Sequence, residues 1–221
     1  MSNAALHLRG AHELRRLIEG CVLATAPDET TPFNIAGISP EQQTLVQHLL
    51  PAQRIQAAVL MPIVLRPEGL SLLFTQRATH LRNHAGQISF PGGRIEPNDA
   101  GPLAAALRET EEEIGLSRTY IHTVGYLVPH VIFTGYCVTP VIGFVQPGFE
   151  LRLDTREVAE VFEAPLVYFL DPANHLARDR QVGEMTARVY DLPYGERRIW
   201  GATAGIVMSL YRMLVKQQDT P

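Results

Sequence analysis

Cysteine is scarce in this chain of 221 residues: Cys21 and Cys137 are the only two. Two cysteines cannot build a disulfide scaffold or a zinc ribbon, so a reducing cytoplasm is the expected compartment. Long apolar runs are missing too. The densest, near residues 57–65, is broken by Pro62 and falls far short of the ~20 residues of a membrane-crossing helix. The first residues carry no apolar core of a secretory signal. Positive charge is not in excess: a formal net charge of -4 argues against a broad basic surface for nucleic acid. A small anion held by a few local arginines remains compatible with that charge. Repeats and low-complexity tracts are absent. What is present, 46% hydrophobic and 19% charged residues, describes a globular protein with a sizeable core and no membrane span.

Residues 12–24 have helical periodicity, with Leu14, Leu17, Ile18 and Cys21 on one stripe. Residues 26–40 are rich in Pro, Thr and Gly and read as a loop, followed by a short helix over 41–50. Residues 57–65 and 70–76 form two β-rich runs around Arg66-Pro67-Glu68-Gly69, which predicts a hairpin. Further strands are expected over 88–90, 120–128, 136–145 and 158–162, and helices over 166–170 and 203–215. Asp99 is placed to cap a helix that starts near Pro102 and stops at Gly115. Strands and helices interleave without a regular βαβ rhythm. The expected fold is therefore α/β of the α+β kind, a mixed β-sheet sandwiched between α-helices. Residues 1–50 carry no motif and read as a helical extension of a domain over 51–221. That extension is open either to packing on the domain or to a homodimer contact.

Four glutamates crowd into Arg108-Glu109-Thr110-Glu111-Glu112-Glu113 at the end of the predicted helix, where the helix dipole disfavours negative charge. Glu109, Glu112 and Glu113 fall within an arc of roughly 100° on one face, while Glu111 lies nearer the apolar stripe. Taken alone, such a helix end is more often a solvated acidic face. A compensating cation is the functional alternative, and oxygen ligands without His or Cys favour Mg²⁺ or Mn²⁺ over zinc.

The surroundings favour the second reading. Phe90-Pro91-Gly92-Gly93 precedes the helix and permits close backbone approach. Together Gly93, Asp99, Arg108, Glu109, Glu112, Glu113, Gly115 and Leu116 resemble the Nudix box, G-x5-E-x7-R-E-U-x-E-E-x-G-U with U apolar. Asp99 stands where that box has Glu, and eight residues instead of seven separate it from Arg108. A helix cap is thus expected of Asp99 in preference to a metal ligand. Thr110 occupies an apolar position, where its methyl group can still pack. The resemblance implies Glu109 and Glu113 as main metal ligands, Glu112 as a third, direct or through water, and Arg108 as the residue that orients them. It also implies a metal-assisted attack of water on a diphosphate, with no covalent intermediate.

The segment from Leu72 to Gly93 is similar to the signature of the coenzyme A pyrophosphatase branch, L-L-x-T-x-R-[SA]-x3-R-x3-G-x3-F-P-G-G. Arg77, Ala78, Arg82, Gly86 and Phe90-Pro91-Gly92-Gly93 sit at its offsets, and the likeness runs over about residues 57–210. Coenzyme A carries a diphosphate and a ribose 3′-phosphate, and Arg77 and Arg82 offer forked donors to such oxygens. His84, Gly92 and Gly93 complete the substrate-binding set that the resemblance implies. Trp200, Tyr136 and Phe133 are candidates to stack on adenine, although Trp200 is expected in the core. For the general base, Glu157, Glu160 and Glu163 are the late-loop candidates, with Glu157 preferred. Two alternatives stay open: a Nudix diphosphatase for another nucleoside diphosphate derivative, and a non-catalytic Nudix ligand sensor.

Overall fold

The computed structural model describes residues 6–182 and 184–218. Residues 1–5, Gly183 and residues 219–221, which the two expected segments include, lie outside the described residues. In chain order the main elements are α1 (Ala11–Cys21), β1 (Asn34–Ile35), α2 (Pro40–Val46), β2 (Ile55–Arg66), β3 (Gly69–Arg77), β4 (Ile88–Ser89), β5 (Gly92–Arg94) and α3 (Pro102–Ile114). Then follow β6 (Ile121–Tyr126), β7 (His130–Val131), β8 (Tyr136–Val145), β9 (Val158–Pro165) and α4 (Leu166–Leu170). The chain closes with β10 (Leu176–Val182), β11 (Met185–Tyr194), β12 (Arg197–Trp200) and α5 (Gly201–Gln218).

β2 is the spine. It pairs parallel with β8, from Ile55↔Tyr136 to Val64↔Val145, and antiparallel with β3 across the Arg66↔Gly69 turn. Its side chains divide between two faces with the period of two that a pleated strand imposes. Ala57, Met61 and Ile63 join the large core under α1, α4 and α5, while Ala58 and Leu60 pack with Ala105 and Ala106 of α3. The result is a mixed sheet, nine-stranded among the described residues, between α3 on one face and the terminal helices on the other. Leu14 and Ile18 of α1 are fully buried in that large core, so this helix packs on the domain.

Phe74 in β3 lies at the centre of an aromatic stack. Its ring is 4.9 Å from Phe90, 5.4 Å from Phe162 and 5.6 Å from Phe169. Phe90 thereby anchors the turn that leads to β5, each such ring pair adding about 0.5–1.5 kcal/mol beyond burial.

A second sheet, β10-β11-β12, escapes the sequence pattern. Trp200, expected in the core, ends β12 half-buried, with the Arg180 guanidinium 3.9 Å over its ring. Tyr136 accepts two hydrogen bonds from Arg94, at 2.9 and 3.2 Å, and Phe133 packs against Ile35, Ile38 and Val46. Among the described residues no helix is long and apolar enough to cross a membrane.

Candidate active site

α3 begins at Pro102, whose missing N–H costs nothing in a first turn. Its N-cap is Gly101, which gives no side-chain capping bond, so Asp99 is not the helix cap that its position predicts. Asp99 instead grips Arg108 with both oxygens, at 3.0 Å to Nε and 2.8 Å to Nη2. This charged fork outweighs a neutral cap bond because both partners are ionised and planar. The same guanidinium donates to Glu109 at 2.9 Å, to Glu112 at 3.1 Å and to the carbonyl of Arg94 at 3.1 Å. Glu111 points elsewhere and meets Arg118 on the surface at 3.3 Å.

The far end of α3 is closed by Gly115 in the left-handed region (φ 68°), whose N–H donates to the Glu111 carbonyl. The backbone N–H groups of Arg152 and Asp154 satisfy the carbonyls of Ile114 and Glu113 at 2.8 and 2.9 Å. Thr110 is fully buried and donates its hydroxyl to the Ala106 carbonyl at 2.6 Å.

Gly92 and Gly93 fit against these carboxylates because neither has a side chain. A Cβ on Gly92 (φ 150°) would stand 2.3 Å from the Ala58 carbonyl oxygen, and one on Gly93 would stand 2.5 Å from the Glu109 carboxylate. The Gly92 N–H donates to Glu113 at 3.2 Å. Burial pushes the Glu113 carboxyl up to about 8; that N–H and Arg77 oppose the rise, while Glu109 and Glu157 add to it. Glu109 is raised by burial as well, with Arg108 lowering it and Glu112 and Glu157 raising it.

Arg77, Glu109, Glu113 and Glu157 thus share one electrostatic neighbourhood. A register irregularity brings the last of these there. β3 and β9 pair regularly as far as Gln76↔Glu160, then slip so that Arg77 meets Val158, and the Ala78 N–H donates to the Glu157 carbonyl. The three candidate bases separate accordingly. Glu163 is forked onto Arg66 at 2.5 and 3.0 Å, and Glu160 is paired with Arg197. Arg82 and His84 are exposed on the loop between β3 and β4, and neither bonds to the carboxylates; His84 Nδ1 meets Gln87 at 2.9 Å. Beside this centre lies a cavity of about 610 Å³ lined by Gln76, Gln87, Glu160, Arg197, Arg198 and Trp200. Sequence reasoning missed Asp99 as the Arg108 partner and this cavity. The pair Arg197-Arg198 beside the single tryptophan was the available signal for the cavity.

A divalent cation fits this donor set. Glu113 is buried without an ion pair among the described residues, Glu109 is half-buried, and all donors are hard oxygens. The buried Nε of Arg77 has no hydrogen-bond partner among the described residues, which suits an anionic ligand beside the cation. Among the described residues no three His, Cys, Asp or Glu side chains are grouped so that they could hold a metal ion by themselves. Mg²⁺ needs no such group, since it keeps several waters and takes further oxygens from a phosphate ligand.

Likeness to known proteins identifies the family. The NUDIX domain family matches residues 54–183. A protein of Shigella flexneri called uncharacterized Nudix hydrolase NudL is 44% identical over 160 residues, covering 72% of this chain and 83% of its own. Its namesake in Escherichia coli K12 is 44% identical over 155 residues, covering 70% and 80%. The crystal structure of a MutT protein from Methanosarcina mazei is similar at a TM-score of 0.49 and 18% identity, covering 78% of this chain and 99% of that one. The chain belongs to the Nudix family, as a hydrolase of small diphosphate-containing substrates in a group that generally uses divalent metal ions.

Proposed function

We propose that this enzyme hydrolyses the diphosphate of coenzyme A, its oxidised form or its thioesters, giving 3′,5′-ADP and 4′-phosphopantetheine or its acylated form. The observation that carries the reading is Arg77. It belongs to the Leu72-to-Gly93 segment that resembles the coenzyme A branch, it acts electrostatically on Glu113, and its buried Nε lacks an acceptor. A diphosphate oxygen supplies that acceptor.

Glu109 and Glu113 would hold Mg²⁺ or Mn²⁺, with Glu112 as the third acid of the set. When bound, the cation neutralises the diphosphate oxygens and stabilises the charge that develops on the leaving phosphate. Arg108 keeps Glu109 and Glu112 oriented through the bonds described above. Arg77 fixes the diphosphate. Glu157, exposed and beside Glu109 and Glu113, accepts a proton from the attacking water. The water oxygen bonds to phosphorus, the P–O bond of the anhydride breaks, and two phosphomonoesters leave. Gly92 and Gly93 admit the substrate close to the backbone, and Arg82 and His84, on the exposed loop, complete its binding set. The substrate is a small molecule; neither nucleic acid nor membrane takes part. In this reading the enzyme works in the cytoplasm, with residues 1–50 as an extension of the 51–221 domain and a candidate homodimer contact.

The test is product analysis. The protein with Mg²⁺ or Mn²⁺ is given coenzyme A, ADP-ribose or nucleoside triphosphates in parallel. Release of 3′,5′-ADP in the first reaction, faster than turnover of the others, is expected. Preference for ADP-ribose or a triphosphate assigns another Nudix specificity, and turnover of none identifies a ligand sensor.

A further inference from the structure

We propose that the cavity between the β3–β4 loop and β12 is the subsite for the nucleoside 3′-phosphate arm of the substrate, with Arg197, Arg198 and Arg180 serving the phosphate and Trp200 the base. The inference rests on the coenzyme A reading and says which arm lies where.

Position is the first support. Gln76 lines the cavity, and the next residue, Arg77, acts on Glu113. Ile88 lines it too and stands four residues before Gly92, whose N–H holds Glu113. Four residues span at most about 14 Å, so the cavity borders the diphosphate centre. A substrate held at its diphosphate extends two arms, and one of them enters this space.

Charge and shape choose the arm. Arg178 and Arg198 converge on buried Asp191, and Arg197 meets Glu160 above the ring of Phe162. Arg180 stacks on Trp200 instead of pairing with a carboxylate. In the cavity lining Arg197 and Arg198 balance Glu160 and Glu196; Arg178 with Asp191 behind Arg198, and Arg180 on the ring of Trp200, bring the set to four guanidiniums against three carboxylates. The Arg197 Nε is buried with no partner, a donor awaiting an acceptor. The pantetheine arm carries no anion beyond the diphosphate, whereas the adenosine arm carries a phosphate and a flat base. Guanidinium forks match phosphate oxygens, and an aromatic face backed by a cation suits a purine.

Binding without turnover tests the subsite separately from the activity. Metal-free protein is titrated calorimetrically with 3′,5′-ADP, 5′-AMP and 4′-phosphopantetheine. Wild-type protein is expected to prefer 3′,5′-ADP to 5′-AMP at least tenfold. Arg180→Gln and Arg197→Gln, with unchanged circular dichroism, should each shrink that preference below threefold and leave 4′-phosphopantetheine binding intact. Equal binding of the two nucleotides by wild type overturns the assignment, as does an unaltered preference in both variants. Loss of 4′-phosphopantetheine binding alone gives the cavity to the other arm. If the 3′,5′-ADP preference holds but coenzyme A releases no 3′,5′-ADP, the hydrolytic reading fails and the nucleotide subsite stands.

Discussion

Two buried carboxylates in this molecule are treated in opposite ways. Asp191, on β11, is 2% exposed and is enclosed by Arg178 at 2.5 Å and by both Nε and Nη2 of Arg198 at 2.8–2.9 Å. Glu113, on α3, is 5% exposed, receives one backbone N–H at 3.2 Å and has no ion pair among the described residues. A charge that only holds a structure together is given its counter-charge by the fold. A carboxyl kept for a ligand is left short of a counter-charge, at a cost in stability that the surrounding sheet bears.

Exchanging the acid for its amide at Glu113 should produce the largest effect. Glu113→Gln is expected to lower turnover about 10³-fold, since a bound cation supplies several kcal/mol at the transition state. The melting temperature of metal-free protein should hold or rise, because an acid that burial forces to stay protonated has gone. A variant that hydrolyses normally, or that unfolds, contradicts this contrast.

Asp191→Ala should do the reverse. Its loss strands two arginines that are 59% and 40% exposed and can turn to water, so the cost sits near the lower end for a broken buried pair, about 3 kcal/mol. Urea denaturation would read that loss, while turnover per folded molecule, measured on substrate lacking the 3′-phosphate, should remain. Unaltered stability would make Asp191 no different from Glu113.

Glu157, just before β9, and Glu160 within it sharpen the contrast. Glu157→Gln should slow turnover about 10²-fold through loss of the proton acceptor. Glu160→Gln should change it less than tenfold at saturating substrate, because Glu160 is already committed to Arg197. A tenfold or larger effect from Glu160 and none from Glu157 would reverse the assignment.

His130 acts on stability alone, and only below pH 6.5. It is fully buried beside Ser209, which bonds its Nε2 at 3.1 Å and also receives Asn34 and Arg212. Burial, helped by Arg212, pushes this imidazole down from 6.5 to about 3. The unfolded chain therefore binds the proton first as pH falls. The contribution is complete above pH 6.5 and drains away toward pH 3, by up to about 1.4 kcal/mol per pH unit. His130→Gln should flatten the urea midpoint between pH 6.5 and 4; an unchanged slope would assign the acid sensitivity to other groups.

Legibility in the sequence followed the source of the stabilising contacts. The β2–β3 hairpin, β8 and α3 are written in local periodicity and in Gly and Pro punctuation, and the structure has them at the expected places. β10 reads Leu-Ala-Arg-Asp-Arg-Gln-Val, poor in β-branched and aromatic residues, and becomes a strand through its pairing with β11. Very short strands such as β1, β5 and β7 carry too few residues to show an alternation. The carboxylates of α3 were readable because a helix converts spacing into a face. The partnership of Asp99 with Arg108 was not, since it depends on how the turn after β5 folds back. Likewise, Glu157, Glu160 and Glu163, spaced by three at and before β9, look equivalent until the slip beside Arg77 separates them.

The fork of Arg108 has a consequence for sequence drift. One guanidinium serves Asp99, Glu109, Glu112 and a main-chain carbonyl, and the Asp99 side chain is only 7% exposed beneath it. Lysine, with a single point of charge, cannot reproduce that span. A lineage that loses this arginine must therefore abandon Asp99 as well, so positions 99 and 108 are expected to change together or not at all.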